Sequence, residues 1–197
     1  VQDVIAFIDT IGEPVYLVGW SGIEPPLGTA AQSRAVSAVA LFEGYVPLVA
    51  EEDDLASLGA TIERTGAAAA DGRLADAARA FAPFVLTDAE LAALDGDFFE
   101  RWGRSIPAML QYFQQNVSKE GSRPYDPEQL AKISVPVVAL WSRETTKSTW
   151  VSKSALYLAQ HVADGYVREL ASGGHFAPLA APELLAKEMT YFFESVR

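Results

Sequence analysis

The sequence contains no cysteine, which excludes disulfide bonds, a thiolate nucleophile and cysteine-ligated zinc. It has two histidines, His161 and His175, with no carboxylate cluster beside them, so we predict no metal and no organic cofactor. No apolar stretch approaches the roughly 18 residues of a membrane span, and the first residues lack the basic and apolar regions of a signal peptide. These absences favour a cytoplasmic protein.

Basic residues are also few, because 15 lysines and arginines stand against 26 aspartates and glutamates, a net charge of −11. Nucleic acids and anionic membrane surfaces are bound through basic patches, so we expect neither as a partner. Twelve acidic residues and three arginines lie between Glu51 and Glu100, and this segment supplies −9 of the net charge. With 197 residues, half of them apolar, the chain is long enough for one folded core and too apolar to be disordered.

Strand and helix patterns alternate at both ends of the chain. Apolar runs predict four strands, at residues 15–18, 36–42, 135–141 and 166–170. Between and after them lie helical patterns, and strands that alternate with helices pair in parallel. We therefore predict an α/β fold, with a mostly parallel sheet and flanking helices. Residues 51–130 are mostly helical in pattern and form an excursion from the sheet.

Local signals mark where several helices begin and end. Gly12 ends a short amphipathic helix at the N-terminus, and Pro25 and Pro26 suit the first turn of a helix that reaches about Ser33. A capping box formed by Thr87 and Glu90 predicts another helix start. Pro107 should kink or split the helix that carries an apolar stripe, whose members are Phe98, Trp102, Ile106, Met109 and Phe113.

A serine, Ser21, follows the first strand at the point where a helix is about to begin. A sharp turn there would push its hydroxyl out of the carboxyl edge of the sheet and turn the next backbone N–H groups toward the same place. Gly19 and Gly22 provide the small residues that such a crowded turn needs. Taken alone, this short segment is more often an ordinary turn with a serine in it.

His175 follows the last strand, behind two glycines, where a parallel sheet keeps its ligand sites. A histidine there can accept a serine proton near neutral pH. His161 lies near the end of a helix, where an imidazole suits the helix dipole, so we predict a structural role for it. A serine and histidine pair needs a carboxylate to orient the imidazole, and two glutamates, Glu43 and Glu144, follow strands.

Together these segments resemble the α/β-hydrolase superfamily, and the order serine, acid, histidine agrees with that family. Residues 15–21 resemble its fifth strand and nucleophile elbow, and residues 38–43 its sixth strand. Residues 135–141 resemble its seventh strand, and residues 167–178 its eighth strand with the catalytic-histidine loop. The resemblance implies a hydrolase-like core of residues 1–50 and 131–197, with residues 51–130 as a helical cap. Some members carry a glutamate after the sixth strand, which favours Glu43 over Glu144.

The resemblance implies an esterase-like serine hydrolase that cleaves an ester, thioester or related acyl bond of a small apolar substrate. Ser21 would be the nucleophile, His175 the proton shuttle, and the Gly22 N–H one oxyanion donor. The residues predicted to bind substrate are Trp20, Phe98, Trp102 and Phe176. Further candidates are Phe99, Tyr112 and Phe113, although aromatic residues at helical spacing more often belong to a plain core.

Other features favour a catalytically inactive protein of the same fold that acts as a binding or assembly module. Ile23 stands where the family has a small residue, and the first four strands of the family, with the second oxyanion donor, have no counterpart here. An apolar strand from Val15 to Val18 would be prone to aggregation as an open edge. We expect the N-terminal segment of a longer hydrolase, or a second copy in a homodimer, to cover that edge.

Overall fold

The computed structural model describes residues 1–118 and 121–196, so three positions of the predicted cap and core, 119, 120 and 197, lie outside the described residues. The sheet has four parallel strands in the order β1-β2-β3-β4. These strands are β1 Val15–Trp20, β2 Val36–Phe42, β3 Val137–Ser142 and β4 Gly165–Leu170. The predicted α/β class and its parallel sheet are confirmed.

Helices connect the strands, and most of them lie in one segment between β2 and β3. The helices before and after that segment are α1 Gln2–Ile11, α2 Glu24–Ala30, α9 Ser148–His161, α10 Ala177–Ala180 and α11 Pro182–Ser195. Within it lie α3 Glu52–Ala70, α4 Leu74–Val85, α5 Asp88–Ala93, α6 Phe98–Gly103, α7 Ile106–Ser118 and α8 Pro127–Leu130. We call residues 51–130 the helical insertion. In the described part of the chain, no helix combines the length and the hydropathy needed to cross a membrane.

Successive side chains of a strand point to opposite sides of the sheet. Helices pack on both sides, so the two central strands, β2 and β3, are buried on both faces. On one face Val39 and Leu41 of β2 pack in a cluster with Leu27 and Leu158. On the other face Phe42 of β2 packs with side chains of β3 and α11. Central parallel strands therefore carry continuous apolar runs, which is the pattern that predicts them.

β1 lies at one edge of the sheet and pairs with β2 alone among the described strands. Tyr16, Val18 and Trp20, which share one face of β1, are 37%, 56% and 37% exposed. Tyr16 stacks on the ring of Phe193, with ring centroids 4.5 Å apart. The edge that the sequence indicated is thus present, and the identity of what covers it stays a prediction.

Most of the local signals hold. Gly12 ends α1 in the left-handed conformation, with φ at 75°, and Thr87 and Glu90 form both hydrogen bonds of the predicted capping box. The apolar stripe is split between α6 and α7, and Pro107 lies in the first turn of α7. Several boundaries differ. β3 runs over Val137–Ser142 rather than 135–141, and β4 begins at Gly165 rather than at residue 166. α2 ends at Ala30 rather than near Ser33, and β1 continues to Trp20 because Gly19 and Trp20 still pair with β2.

Gly165→Ala should destabilise the protein, because a Cβ at Gly165 would overlap the carbonyl oxygen of Ala159 in α9, and backbone yields little. We expect a loss of about 2 kcal/mol in the free energy of unfolding, measured by urea titration. The matched control is Gly59→Ala in the middle of α3, where a Cβ meets nothing within 4 Å. That variant should gain roughly 0.5–1 kcal/mol from helix propensity. Equal stabilities of the two variants would contradict the close packing of α9 on β4.

Candidate active site

Ser21 lies on a sharp turn directly after β1. Its N–H donates to the carbonyl of Phe42 at 2.9 Å, and its φ is 62°, a strained value for a residue with a side chain. The N–H of Gly22 donates to the carbonyl of Trp20 at 2.6 Å, which closes a γ-turn around Ser21. The chain therefore reverses within three residues and leaves Ser21 at the carboxyl end of the sheet.

The two glycines that flank this turn have different steric surroundings. A Cβ at Gly19 would lie 2.7 Å from Cγ of Pro26 and 3.0 Å from Cδ2 of Leu41, so a small residue is required there. At Gly22 the nearest atom to a Cβ would be the Trp20 oxygen, 4.0 Å away, so the steric requirement predicted for Gly22 is wrong. The Gly22 N–H, expected to face an oxyanion, is instead engaged by Trp20. An oxyanion role would require that contact to break.

Ile23 fits into this turn because a neighbouring position has no side chain. Ile23 is only 2% exposed, and a Cβ placed on Gly44 would overlap its Cγ2 atom. Gly44 follows the end of β2, next to β1 in the sheet. The side chain of Ile23 thus occupies the space that a side chain on Gly44 would need.

Glu43 directly follows β2 and is completely buried. Its φ is 50°, in the left-handed region that few residues with a side chain adopt. The Oε1 atom accepts a hydrogen bond of 2.8 Å from the Ser142 N–H at the end of β3, and Oε2 lies 3.2 Å from Nδ1 of His175. His175 is itself only 3% exposed. The structure therefore brings His175 and Glu43 together as a buried pair.

Glu144, the other candidate acid, has a different partner. Its Oε2 accepts a 2.7 Å hydrogen bond from the N–H of Gly173, at the start of the loop that carries His175. Of the two glutamates, Glu43 contacts the imidazole and Glu144 supports the backbone before it. His161 hydrogen-bonds through Nδ1 to the carbonyl of Tyr157 one turn earlier in α9, at 2.8 Å, in keeping with the structural role predicted for it.

A cavity of about 690 Å³ opens beside these residues, and both Ser21 and His175 line it. Of the aromatic residues proposed from the sequence, those that line it are Trp20, Trp102, Tyr112, Phe113 and Phe176. Phe98 and Phe99 are not among the described lining residues. Phe98 packs instead behind the wall, with its ring centroid 5.7 Å from those of Trp102 and Phe176. The helical insertion supplies most of the apolar wall.

Sequence reasoning missed several lining residues. Leu55, Leu58 and Ile62 of α3 face the cavity from within the acidic segment, and their helical spacing was a usable signal. Tyr45 and Trp150 also line it, and their rings lie 5.0 Å apart in an edge-on arrangement. These two come from segments more than 100 residues apart, so no local pattern could have joined them.

Tyr45 places a buried hydroxyl beside the histidine, with its ring centroid 5.7 Å from that of His175. Its hydroxyl and that of Thr145 are neighbours, but neither has hydrogen-bond geometry to any described residue. Burial raises the pKa of Tyr45 far above its usual value, and the negative charge of Glu43 raises it further. The phenol is therefore held in its neutral form.

Tyr45→Phe should protect the protein at alkaline pH. The phenol stays neutral in the folded state but ionises near pH 10 when unfolded, so it contributes full stability below pH 10 and progressively less above it. Relative to Tyr45→Phe, the wild type should lose about 1.4 kcal/mol of unfolding free energy per pH unit above pH 10. Urea titrations at pH 8 and between pH 10 and 11.5 measure this difference. Parallel stability curves would contradict it.

The sequence matches no protein-family model, and a comparison with curated proteins finds no relative. Solved structures, in contrast, match almost the whole chain. MenH from S. aureus is 14% identical with a TM-score of 0.75, covering 99% of this chain and 74% of that one. A hydrolase from Oleispira antarctica is 16% identical with a TM-score of 0.64, covering 92% and 66%.

An alpha/beta hydrolase from Sphaerobacter thermophilus is 21% identical with a TM-score of 0.54, and the alignment covers 93% of this chain and 72% of that one. This chain thus spans between about two thirds and three quarters of the length of these three structures. At such low identity the similarity concerns the fold. Over the length that it spans, the chain has the fold of the α/β hydrolases.

Proposed function

We propose that this protein is a serine hydrolase that cleaves an ester, thioester or related acyl bond of a small apolar substrate. The observation that carries the proposal is the buried contact between His175 and Glu43, at a cavity that Ser21 also lines. A buried histidine paired with a carboxylate, and a serine on a strained turn at the same cavity, are the groups that acyl-transfer chemistry uses. The similarity in fold to hydrolases supports the same reaction class.

In this mechanism the Oγ of Ser21 attacks the carbonyl carbon of the substrate. Nε2 of His175 takes the serine proton and then delivers it to the leaving oxygen or sulfur, while Glu43 holds Nδ1 in its protonated tautomer. Water, activated by the same imidazole, then releases the acyl group from Ser21. Glu43 is suited to this task because Ser142 fixes its other oxygen.

The oxyanion of the tetrahedral intermediate would accept a hydrogen bond from the N–H of Gly22. That N–H is donated to the Trp20 carbonyl in the free protein, so substrate has to open the γ-turn before the N–H becomes available. Relief of the strained φ at Ser21 would offset part of the cost of this opening.

The cavity favours an apolar acyl or aryl group. Its volume of about 690 Å³ lies within the usual range for small-molecule sites. Aliphatic residues of α3 and aromatic residues of α4 form much of the wall opposite the sheet, among them Leu58, Ile62, Phe81 and Phe84. Such a surface gains free energy by burying hydrocarbon and offers little to a charged group.

A second candidate is a protein that binds apolar ligands without turning them over. The engaged Gly22 N–H favours this alternative, because a catalyst that keeps its oxyanion donor occupied gains nothing from it. The two candidates differ in whether Ser21 forms a covalent acyl intermediate.

Ser21→Ala should abolish the hydrolysis of short p-nitrophenyl esters. Loss of the nucleophile should lower kcat/KM by at least about 10⁴-fold, because the members of a triad act as a unit. Ser195→Ala, an exposed serine at the end of α11, is the matched control and should keep the wild-type rate. Equal rates for wild type and Ser21→Ala would reject Ser21 as the nucleophile and favour the binding protein.

The two glutamates should differ in their effect on catalysis. Glu43→Gln turns an amide toward Nδ1 of His175 and favours the wrong tautomer, so kcat should fall by roughly 10³–10⁴-fold. Glu144→Gln keeps an acceptor oxygen for the Gly173 N–H and should change kcat by less than about tenfold. Steady-state kinetics on the same ester measure both. A larger loss for Glu144→Gln than for Glu43→Gln would overturn the assignment of the acid.

A further inference from the structure

Among the described residues, three side chains form hydrogen bonds to the backbone of the short loop, residues 173–176, that carries His175. Trp20 donates through Nε1 to the carbonyl of His175 at 2.8 Å, and Glu144 accepts from the N–H of Gly173. The third contact comes from the helical insertion, where Oε1 of Glu90 accepts from the N–H of Phe176 at 3.0 Å. The residue directly after the histidine is therefore fixed by a side chain from α5.

Glu90 is also the capping-box residue of α5. Its Oε2 accepts from the N–H of Thr87 at 2.9 Å and from the Thr87 hydroxyl at 3.0 Å. Its Oε1 is left for the Phe176 N–H. One carboxylate thus joins the start of a helix in the insertion to the histidine loop of the core, and the two oxygens have separate tasks.

Gly174 makes room for this carboxylate. A Cβ at Gly174 would overlap Oε1 of Glu90 and would lie 2.5 Å from its Oε2. The φ of Gly174 is not in the left-handed region, whereas Gly173 has a φ of 90°. The two glycines before His175 therefore serve different purposes, since Gly173 permits the turn and Gly174 admits Glu90.

The side chain of Phe176 is held by the insertion as well. Its ring lies 5.7 Å from the rings of both Phe98 and Trp102, measured between centroids. Phe98 is not among the described residues that line the cavity, and it contacts two that do, Trp102 and Phe176. The insertion thus holds Phe176 through its ring and, by way of Glu90, through its backbone.

We propose that Glu90 is a positioning residue, which fixes the backbone at Phe176 and thereby sets the position of His175. The proposal rests on the proposed function in one respect, namely that His175 moves the proton. Glu90 does not touch the reacting atoms. Because Glu90 belongs to α5 of the helical insertion, the position of the insertion also determines the position of the His175 imidazole.

Kinetics on a p-nitrophenyl ester test the proposal with a matched pair of variants. Glu90→Ala leaves the Phe176 N–H without its acceptor, and a shift of about 1 Å in a catalytic group can cost roughly 100-fold. We expect kcat to fall between about 10-fold and 100-fold while KM changes less than about threefold, because Glu90 does not line the cavity among the described residues.

The control, Thr87→Ala, removes the threonine hydroxyl from the capping box but leaves the contact between Glu90 and Phe176. It should keep kcat within about threefold of the wild type. An unchanged kcat for Glu90→Ala, or an equal loss for both variants, would overturn the proposal, since the second result would trace the effect to the stability of α5.

A double-mutant cycle with Gly174→Ala tests the same contact from the other side. The added methyl group should displace the carboxylate and lower kcat about as much as Glu90→Ala does. In the Glu90→Ala background the carboxylate is already gone, so the same change should cost less than about threefold. Additive losses would show that Gly174 and Glu90 act independently and would contradict the proposal.

Amide hydrogen exchange separates this proposal from the proposed function, because it needs no substrate. Glu90→Ala should speed exchange at the Phe176 N–H by at least about tenfold, whereas Thr87→Ala should not. Unchanged exchange in Glu90→Ala overturns the positioning role. Faster exchange in a protein whose ester hydrolysis does not depend on Ser21 would instead support the contact and reject the serine hydrolase.

Discussion

The carboxylate of Glu43 has no access to water, and this constraint organises the rest of the site. A buried carboxylate has to replace its lost hydration with hydrogen bonds. The Ser142 N–H at the end of β3 and Nδ1 of His175 after β4 lie against its two oxygens. The ends of three neighbouring strands therefore meet at one group, and a shift of any of them would leave a charge unpaired in the interior.

The polar and the apolar groups around the cavity come from different parts of the chain. The sheet and its strand ends carry the polar groups that can move a proton, while the helical insertion contributes much of the apolar surface that faces them. The insertion is also the most acidic segment, yet α3 turns Leu55, Leu58 and Ile62 toward the cavity. Its charges lie mainly in exposed positions, where pairs such as Arg101 and Asp97 are solvated and add little to stability.

Much of the fold is predictable from the sequence because its signals are local. β2 is found at its full length, since a central parallel strand is apolar on both faces. The capping box and the glycine that ends α1 also hold, because each is settled within a few residues. The positions of Ser21 and His175 at strand ends follow from the strand assignments. The preference for Glu43 over Glu144 follows from its place after β2 together with the resemblance. The contact of its Oε2 with Nδ1 of His175 has no local signal, because it joins residues 132 positions apart.

The remaining features depend on contacts between distant segments. The hydrogen bond from the Phe176 N–H to Glu90 joins residues 86 positions apart, and the capping-box pattern contains no hint of it. Tyr45 and Trp150 meet because α9 packs against the segment that follows β2, where Trp150 donates to the carbonyl of Val46. The engagement of the Gly22 N–H depends on a backbone angle at the preceding residue, which the residue type does not fix.

Ile23 and Gly44 lie on two separate turns, but their side-chain positions share one space in the interior. Ile23 fills this space and Gly44 leaves it free, so packing constrains the combined volume of the two side chains more tightly than the volume of either one. A side chain at Gly44 alone would collide with Ile23, and loss of the Ile23 side chain alone would leave a cavity. A large residue at position 23 is therefore compatible with the sharp turn that presents Ser21.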